Sequence, residues 1–242
     1  MKNIRELLAL QYATNDKLAP GWLERSDVDF YSAIRDEAGE LAVSAGWKPW
    51  WSKAESKLDR DNCKVEVVDL LHFHMSAVLR ECFEQEGDEL EDLSDEALKR
   101  ELIESAADNF EYANYSSINP DRTDVQAVND YLGDVLCMGA ISSVPQLMAL
   151  AERFGMIEAE FGLRYIAKNA LNNFRKAHNY KGDIEGMPAY RKMWFDGQQE
   201  DNYYVTAYLN KQVENGKTPT YQQFYDAMEA MYVGNYDPTQ FA

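Results

Sequence analysis

Positive charge is scarce in this sequence: 24 lysines and arginines stand against 42 aspartates and glutamates, a net of -18 over 242 residues. A field of that sign repels nucleic acid and anionic membranes, so neither DNA, RNA nor a lipid surface is an expected partner. No run approaches the roughly 18 apolar residues that a spanning helix needs. The N-terminal stretch MKNIRELLALQYATNDK is too polar for a signal peptide, which points to the cytoplasm. Cysteines number three, Cys63, Cys82 and Cys137, none in CxxC spacing, as expected of small hydrophobes in a reducing compartment. Neither GxxxxGK[ST] nor GxGxxG occurs, which argues against P-loop and Rossmann phosphate sites. Strand-like alternation, internal repeats and low-complexity tracts are missing too.

What remains is helical periodicity. Hydrophobic residues make up 45% of the chain, enough for a folded core. Leu7, Leu8 and Gln11 precede a break at Pro20-Gly21. Ser26-Asp27 offers an N-cap for a helix carrying Ile34, Ala38, Leu41, Ala42 and Ala45, with Gly46 as its stop. WKPWWSK (47–53) reads as an aromatic loop. A second helix is predicted from about Asn62 to Glu84, with Val65, Val68, Leu71, Met75, Val78 and Leu79 on a broad apolar face. Residues 84–101 read as an acidic loop entering another helix, and 116–124 as a turn ending in an N-cap at Thr123 or Asp124. Helical patterns resume at 125–139, 143–153 and 156–178; the glycine-rich 180–202 is irregular, and short helices follow near 203–214 and 220–232. The expectation is an all-α helical bundle, a single domain over 1–242 with a variable helical insertion at about 85–150.

Two acid pairs stand in this frame. Glu66 and Asp69 lie three apart in EVVDLLHFH, and Glu37 and Glu40 three apart in RDEAGEL. Residues three apart share a helix face. A short connection lets consecutive helices run antiparallel, so four carboxylates would face one another across their interface. Such crowded like charges repel unless cations occupy the gap. Oxygen-only ligation suits a hard cation, and Mg²⁺ fits best. His72 and His74 point nearly opposite ways at about 100° per residue, so a joint zinc site is poor geometry. Asp69-x-x-His72 only partly matches the Glu-x-x-His of di-iron bundles, since the other helix offers Glu37-x-x-Glu40 without a histidine. Both histidines therefore read as packing or supporting residues. Either acid pair alone would be an ordinary solvated face; two pairs on consecutive helices, among apolar residues, favour a site.

A basic stripe complements the acids. Lys168, Asn172, Arg175 and Asn179 fall on one helix face in LRYIAKNALNNFRKAHNYKG (163–182), with Tyr180 and Lys181 at its end. Lysine and arginine match phosphate oxygens. A solvated face paired with nearby acids is the plain alternative. Acids for magnesium and a stripe for phosphate together suggest nucleotide phosphate chemistry.

The motifs LALQYATN (8–15), DEAGELAVSAGWKPWW (36–51), EVVDLLHF (66–73), AKNALNNFRKAHNYKG (167–182) and WFDGQQEDN (194–202) carry a resemblance. In this order they resemble the dimeric all-α dUTPases, within the all-α NTP pyrophosphatases that include MazG-type enzymes. The resemblance spans most of the chain outside 85–150. It implies that Glu37, Glu40, Glu66 and Asp69 bind Mg²⁺, two or more ions per site, with Mn²⁺ able to substitute. It implies that Lys168, Asn172, Arg175, Tyr180 and Lys181 hold the phosphates or close over them. Gln11 and Asn15 match amides that meet the base, and Trp47 and Trp51 match an aromatic loop near the nucleotide, although core packing serves equally well for either tryptophan.

The implied reaction is hydrolysis of dUTP, and of dUDP, to dUMP with release of pyrophosphate or phosphate, by attack at the β-phosphorus. Glu40, with Glu37 beside it, would take the proton of the attacking water, while Lys168 and Arg175 stabilise charge on the phosphates. A homodimer is also implied, working in the cytoplasm, or the host cytoplasm if phage-encoded. The readings left open are a dCTP or mixed dCTP/dUTP pyrophosphatase, a house-cleaning enzyme for modified nucleotides, and a non-catalytic helical binding protein.

Overall fold

Helices form where the apolar period is 3.6, and they dominate the described residues, 4–47, 58–90, 92–111, 121–156, 158–195 and 199–233, of this computed structural model. In chain order they are α1 (Ile4–Leu18), α2 (Phe30–Ser44), α3 (Arg60–Leu90), α4 (Asp95–Glu111), α5 (Asp124–Met138), α6 (Ala140–Arg153), α7 (Glu158–Ala177), α8 (Asp201–Glu214) and α9 (Tyr221–Tyr232). One antiparallel pair, β1 (Met193–Trp194) with β2 (Gln199–Glu200), interrupts them. The fold is all-α, as the periodicity predicts. Among the described residues no helix is long and apolar enough to cross a membrane.

The chain divides into two compact units, Met1–Phe161 and Gly162–Ala242. In the first, α3 is the central element. Its residues Val67, Val68, Leu70, Leu71, Met75, Ala77, Val78 and Leu79 are all buried, the mark of a helix covered on most sides. Helices α1, α2, α4 and α6 pack on it, and α5 packs on α2 and α6. The 85–150 span thus supplies α4, α5 and α6 to the unit that holds both acid-bearing helices.

Three helix ends differ from expectation or explain themselves locally. Helix α2 is capped by Asp29, whose carboxylate accepts from the Ser32 N–H at 3.0 Å, and not by Ser26-Asp27. Asp27 is taken by Arg25, 2.6 Å away. Helix α3 runs on to Leu90, so the acidic stretch predicted as a loop begins as helix. Glutamate and glutamine are good helix formers, and Leu90 is buried against the rest of the unit. Helix α5 starts with the predicted Thr123 cap, reciprocated by Gln126 in a capping box.

The α5–α6 junction is held from α3. The Glu81 carboxylate accepts from the backbone N–H of Ala140 at 2.7 Å and of Ile141 at 2.9 Å, satisfying the open donors at the start of α6. Gly139 makes this approach possible: its φ is +89°, and a Cβ there would lie 2.9 Å from a Glu81 oxygen. His74, fully buried, completes the clamp. Its Nε2 donates to the Ala140 carbonyl at 2.8 Å, and its Nδ1 accepts from the Tyr131 hydroxyl at 3.0 Å.

Burial pushes the His74 ring down from 6.5 to about 4. The unfolded chain therefore takes up a proton between those two values that the native state refuses. Stability is complete above pH 6.5 and falls as the pH drops to about 4. The loss is about 3 kcal/mol, at about 1.4 kcal/mol per pH unit for one proton. Urea unfolding followed across this window should show native protein losing about that much more than His74→Phe; parallel pH curves would refute the assignment.

The second unit is built on aromatic packing. Phe174 on α7 meets Tyr190, Trp194, Tyr225 and Tyr232 edge-on. Ala170, Leu171, Leu209, Phe224, Met228 and Met231 fill the space between α7, α8 and α9. Among the described residues of the predicted irregular stretch 180–202, the chain is irregular except for the short strand pair and the first two residues of α8.

Candidate active site

Helices α2 and α3 run antiparallel. The Asp59 N–H donates to the Ser44 carbonyl at 2.9 Å, and Asn62 Nδ2 donates to Ser44 Oγ at 2.7 Å. At the other end Tyr31 donates to Glu81. Between these ties lie Glu37 and Glu40 on α2 and Glu66 on α3, each with one carboxylate oxygen within 4.8 Å of the others. The face-sharing of Glu37 and Glu40 is local; their meeting with Glu66 follows from the antiparallel packing.

The three acids differ in environment. Glu66 is 7% exposed, Glu37 is half-buried and Glu40 faces solvent. Asn62, one turn before Glu66, donates to its Oε1 at 3.0 Å and so orients the carboxylate. In the sequence Asn62 marks only the start of the predicted helix, although its i, i+4 spacing to Glu66 is the signal of this contact. Asp69 is half-buried one turn further along α3 and lies outside the 4.8 Å set. Three carboxylates this close, one of them buried, repel strongly, and an all-oxygen donor set of this kind fits a hard divalent cation.

On α1 the amides of Gln11 and Asn15 are buried, at 4% and 7% exposure. They bond to each other and to Ser76, and Gln11 also meets His72. His72 therefore faces α1 while His74 faces α5 and α6, the opposed directions that their spacing predicts. Trp47 is partly exposed just after α2; Trp51 lies outside the described residues.

The second unit carries the basic stripe. Lys168 and Asn172 are half-buried on α7, and Lys168 Nζ stands 3.4 Å from Asn202 Oδ1. Arg175 is held in a fork: Nε donates to Asp201 Oδ2 at 2.7 Å and Nη2 to Oδ1 at 2.6 Å. The same carboxylate, completely buried, accepts from the Tyr190 hydroxyl and the Asn202 N–H, both at 2.8 Å. Burial works against the Arg175 charge, but the bonds to Asp201 outweigh it and hold the pKa above the ordinary arginine value. The guanidinium also lies 5.4 Å from the centre of the exposed Tyr180 ring. Lys181 is exposed beside it.

Asn179 departs from the predicted stripe. Helix α7 ends at Ala177, and Asn179 sits in the left-handed region at φ 61°. Its buried side chain holds the following loop, accepting from the Ile184 N–H at 2.9 Å and donating to the Met187 carbonyl at 2.7 Å. Asparagine tolerates that backbone conformation better than most residues. Asp201 is the residue that sequence reasoning missed. An aspartate in QQEDN reads as a solvated helix start, and nothing within its own helix marks it as the buried partner of Arg175.

Residues 3–180 match the model of a family described as dUTPase. The match runs from α1 through α7 and so takes in the clustered glutamates, the buried amides and the basic stripe up to Tyr180. No curated protein matches the chain.

Proposed function

This chain belongs to the dUTPase family, and from that premise we propose that it hydrolyses dUTP, and dUDP, to dUMP in a Mg²⁺-dependent reaction. The observation that carries the metal dependence is the meeting of Glu37, Glu40 and Glu66 within 4.8 Å across two antiparallel helices. Asp69 extends that donor set along α3. Bound Mg²⁺, as two or more ions, supplies neutralisation of the triphosphate and a water of lowered pKa.

The protein's own groups do the rest. Glu40, the solvent-facing member, accepts the proton of the attacking water, with Glu37 beside it. Glu66 is kept in place by Asn62. Lys168 and Arg175 stabilise negative charge that develops on the phosphates, and Asp201 orients Arg175 for that task. Asn172, Tyr180 and Lys181 complete the phosphate grip. Gln11 and Asn15 read the base, with Trp47 and Trp51 beside it. The enzyme works as a cytoplasmic homodimer, each chain one catalytic domain in which the 85–150 insertion shapes access to the substrate.

Release of pyrophosphate from a panel of dUTP, dCTP, dTTP and dATP, with and without Mg²⁺, tests the reading. The expected result is metal-dependent release that is fastest from dUTP, and phosphate released from dUDP. A kcat/KM for dCTP equal to or above that for dUTP would replace the proposal with a dCTP/dUTP pyrophosphatase on the same scaffold.

A further inference from the structure

We propose that Ser76 is a positioning residue that sets base choice, because its buried hydroxyl dictates which way round the carboxamides of Gln11 and Asn15 stand. The inference rests on the reading above that these two amides meet the base of dUTP. Ser76 lies on α3 and is completely buried. Its Oγ donates to the His72 carbonyl one turn earlier, at 2.8 Å. With its single proton used there, Oγ acts toward the amides as an acceptor. It receives Gln11 Nε2 at 2.9 Å and Asn15 Nδ2 at 3.0 Å. Its contact with Asn15 Oδ1 is longer, at 3.4 Å. Gln11 Nε2 also donates to Asn15 Oδ1 at 2.8 Å, and Gln11 Oε1 receives His72 Nδ1 at 2.9 Å.

The other links in this network are reversible. An amide–amide bond forms in either sense. A neutral imidazole nitrogen accepts once its proton moves to the other ring nitrogen. A hydroxyl has two lone pairs but one proton. It can serve two amide nitrogens together, but it cannot serve two amide oxygens. Turning both amides over would set two oxygens against that one proton and leave a buried acceptor facing a lone pair. Turning Gln11 alone would set oxygen against Asn15 oxygen; turning Asn15 alone would set nitrogen against Gln11 nitrogen. Ser76 is therefore the directional member that locks the pair.

Base choice follows from that lock. Uracil presents N3–H and O4, where cytosine presents an N3 acceptor and an amino group. Amides of fixed polarity pair with one base and leave buried polar atoms unmatched on the other. Without the lock both amides can turn, and either base can be met.

The test uses the full-length enzyme with Ser76→Ala, or with Ser76→Cys, whose thiol is a weak acceptor, if the alanine variant does not fold. The dUTP-over-dCTP ratio of kcat/KM should fall by about tenfold or more, while half-saturation by Mg²⁺ stays within about twofold. Ser76→Thr, which keeps a hydroxyl, should recover most of the ratio. Nitrogen NMR at a pH where the ring is neutral gives an independent readout. His72 should carry its proton on Nδ1 in native protein and populate both tautomers in Ser76→Ala. An unchanged ratio in a folded Ser76→Ala, with the native preference intact, overturns the inference alone. A single retained His72 tautomer in that variant overturns the lock. A native enzyme indifferent to the base defeats the dUTP reading, and the inference with it.

Discussion

Glu66→Ala should abolish metal-dependent pyrophosphate release while leaving the helical content unchanged. Glu66 is the buried corner of a set whose three carboxylates each bring an oxygen within 4.8 Å of the others. Its removal takes one ligand from the cluster and leaves Asn62 Nδ2 without the acceptor it has at 3.0 Å. Even the outer partners of metal ligands commonly cost ten- to a hundredfold on removal, so losing a direct ligand should exceed about a hundredfold. The fold should tolerate the change, because deleting one of several crowded like charges relieves repulsion in metal-free protein. Glu37→Ala, Glu40→Ala and Asp69→Ala should behave alike in turnover. Circular dichroism, calorimetric Mg²⁺ titration and pyrophosphate assay together check this. Near-normal turnover in two of the four variants would remove the metal-site assignment.

Asp201→Ala should be among the most destabilising single changes in the second unit. The Asp201 carboxylate is fully buried and accepts four hydrogen bonds, two of them from Arg175, whose side chain is 12% exposed. Deleting it strands a mostly buried guanidinium and leaves the Tyr190 hydroxyl, which still accepts from Trp194 Nε1 at 3.1 Å, without an acceptor for its own proton. Breaking a buried pair in this way costs about 3–5 kcal/mol. Arg175→Met alone should cost a comparable amount by stranding the acid. Replacing both, as Arg175→Met with Asp201→Leu, should regain much of the stability, because two apolar groups leave no buried charge uncompensated. Turnover should stay low in the double variant if Arg175 also grips phosphate. Urea unfolding separates the cases; an Asp201→Ala protein that unfolds at the native midpoint would show that the pair holds nothing together.

Local rules accounted for much of the architecture. The capping box of Thr123 and Gln126 spans three residues, and its signal is complete within them. The opposed directions of His72 and His74 follow from helical rotation alone. The common face of Glu37 and Glu40 follows in the same way. Charge misled where propensity ruled: the acidic start of the 84–101 stretch looked like loop and instead continues α3 to Leu90. Asn179 looked like the fourth member of a helical stripe, but helix α7 stops two residues before it.

The sequence by itself determined that this is an all-α chain with two acid pairs on consecutive helices and a cationic helix face, because helical period and capping act over three to seven residues. Only the tertiary structure decided which of those groups meet. Glu66 joins Glu37 and Glu40 through the antiparallel packing of α2 on α3. Ser76 reaches Gln11 across 65 positions, and Asp201 reaches Arg175 across 26. Pairings of that kind leave no periodic trace in the chain. They come from burial: a carboxylate, a hydroxyl or an amide shut away from water must find a partner inside the protein, and the packing of helices determines which partner is within reach.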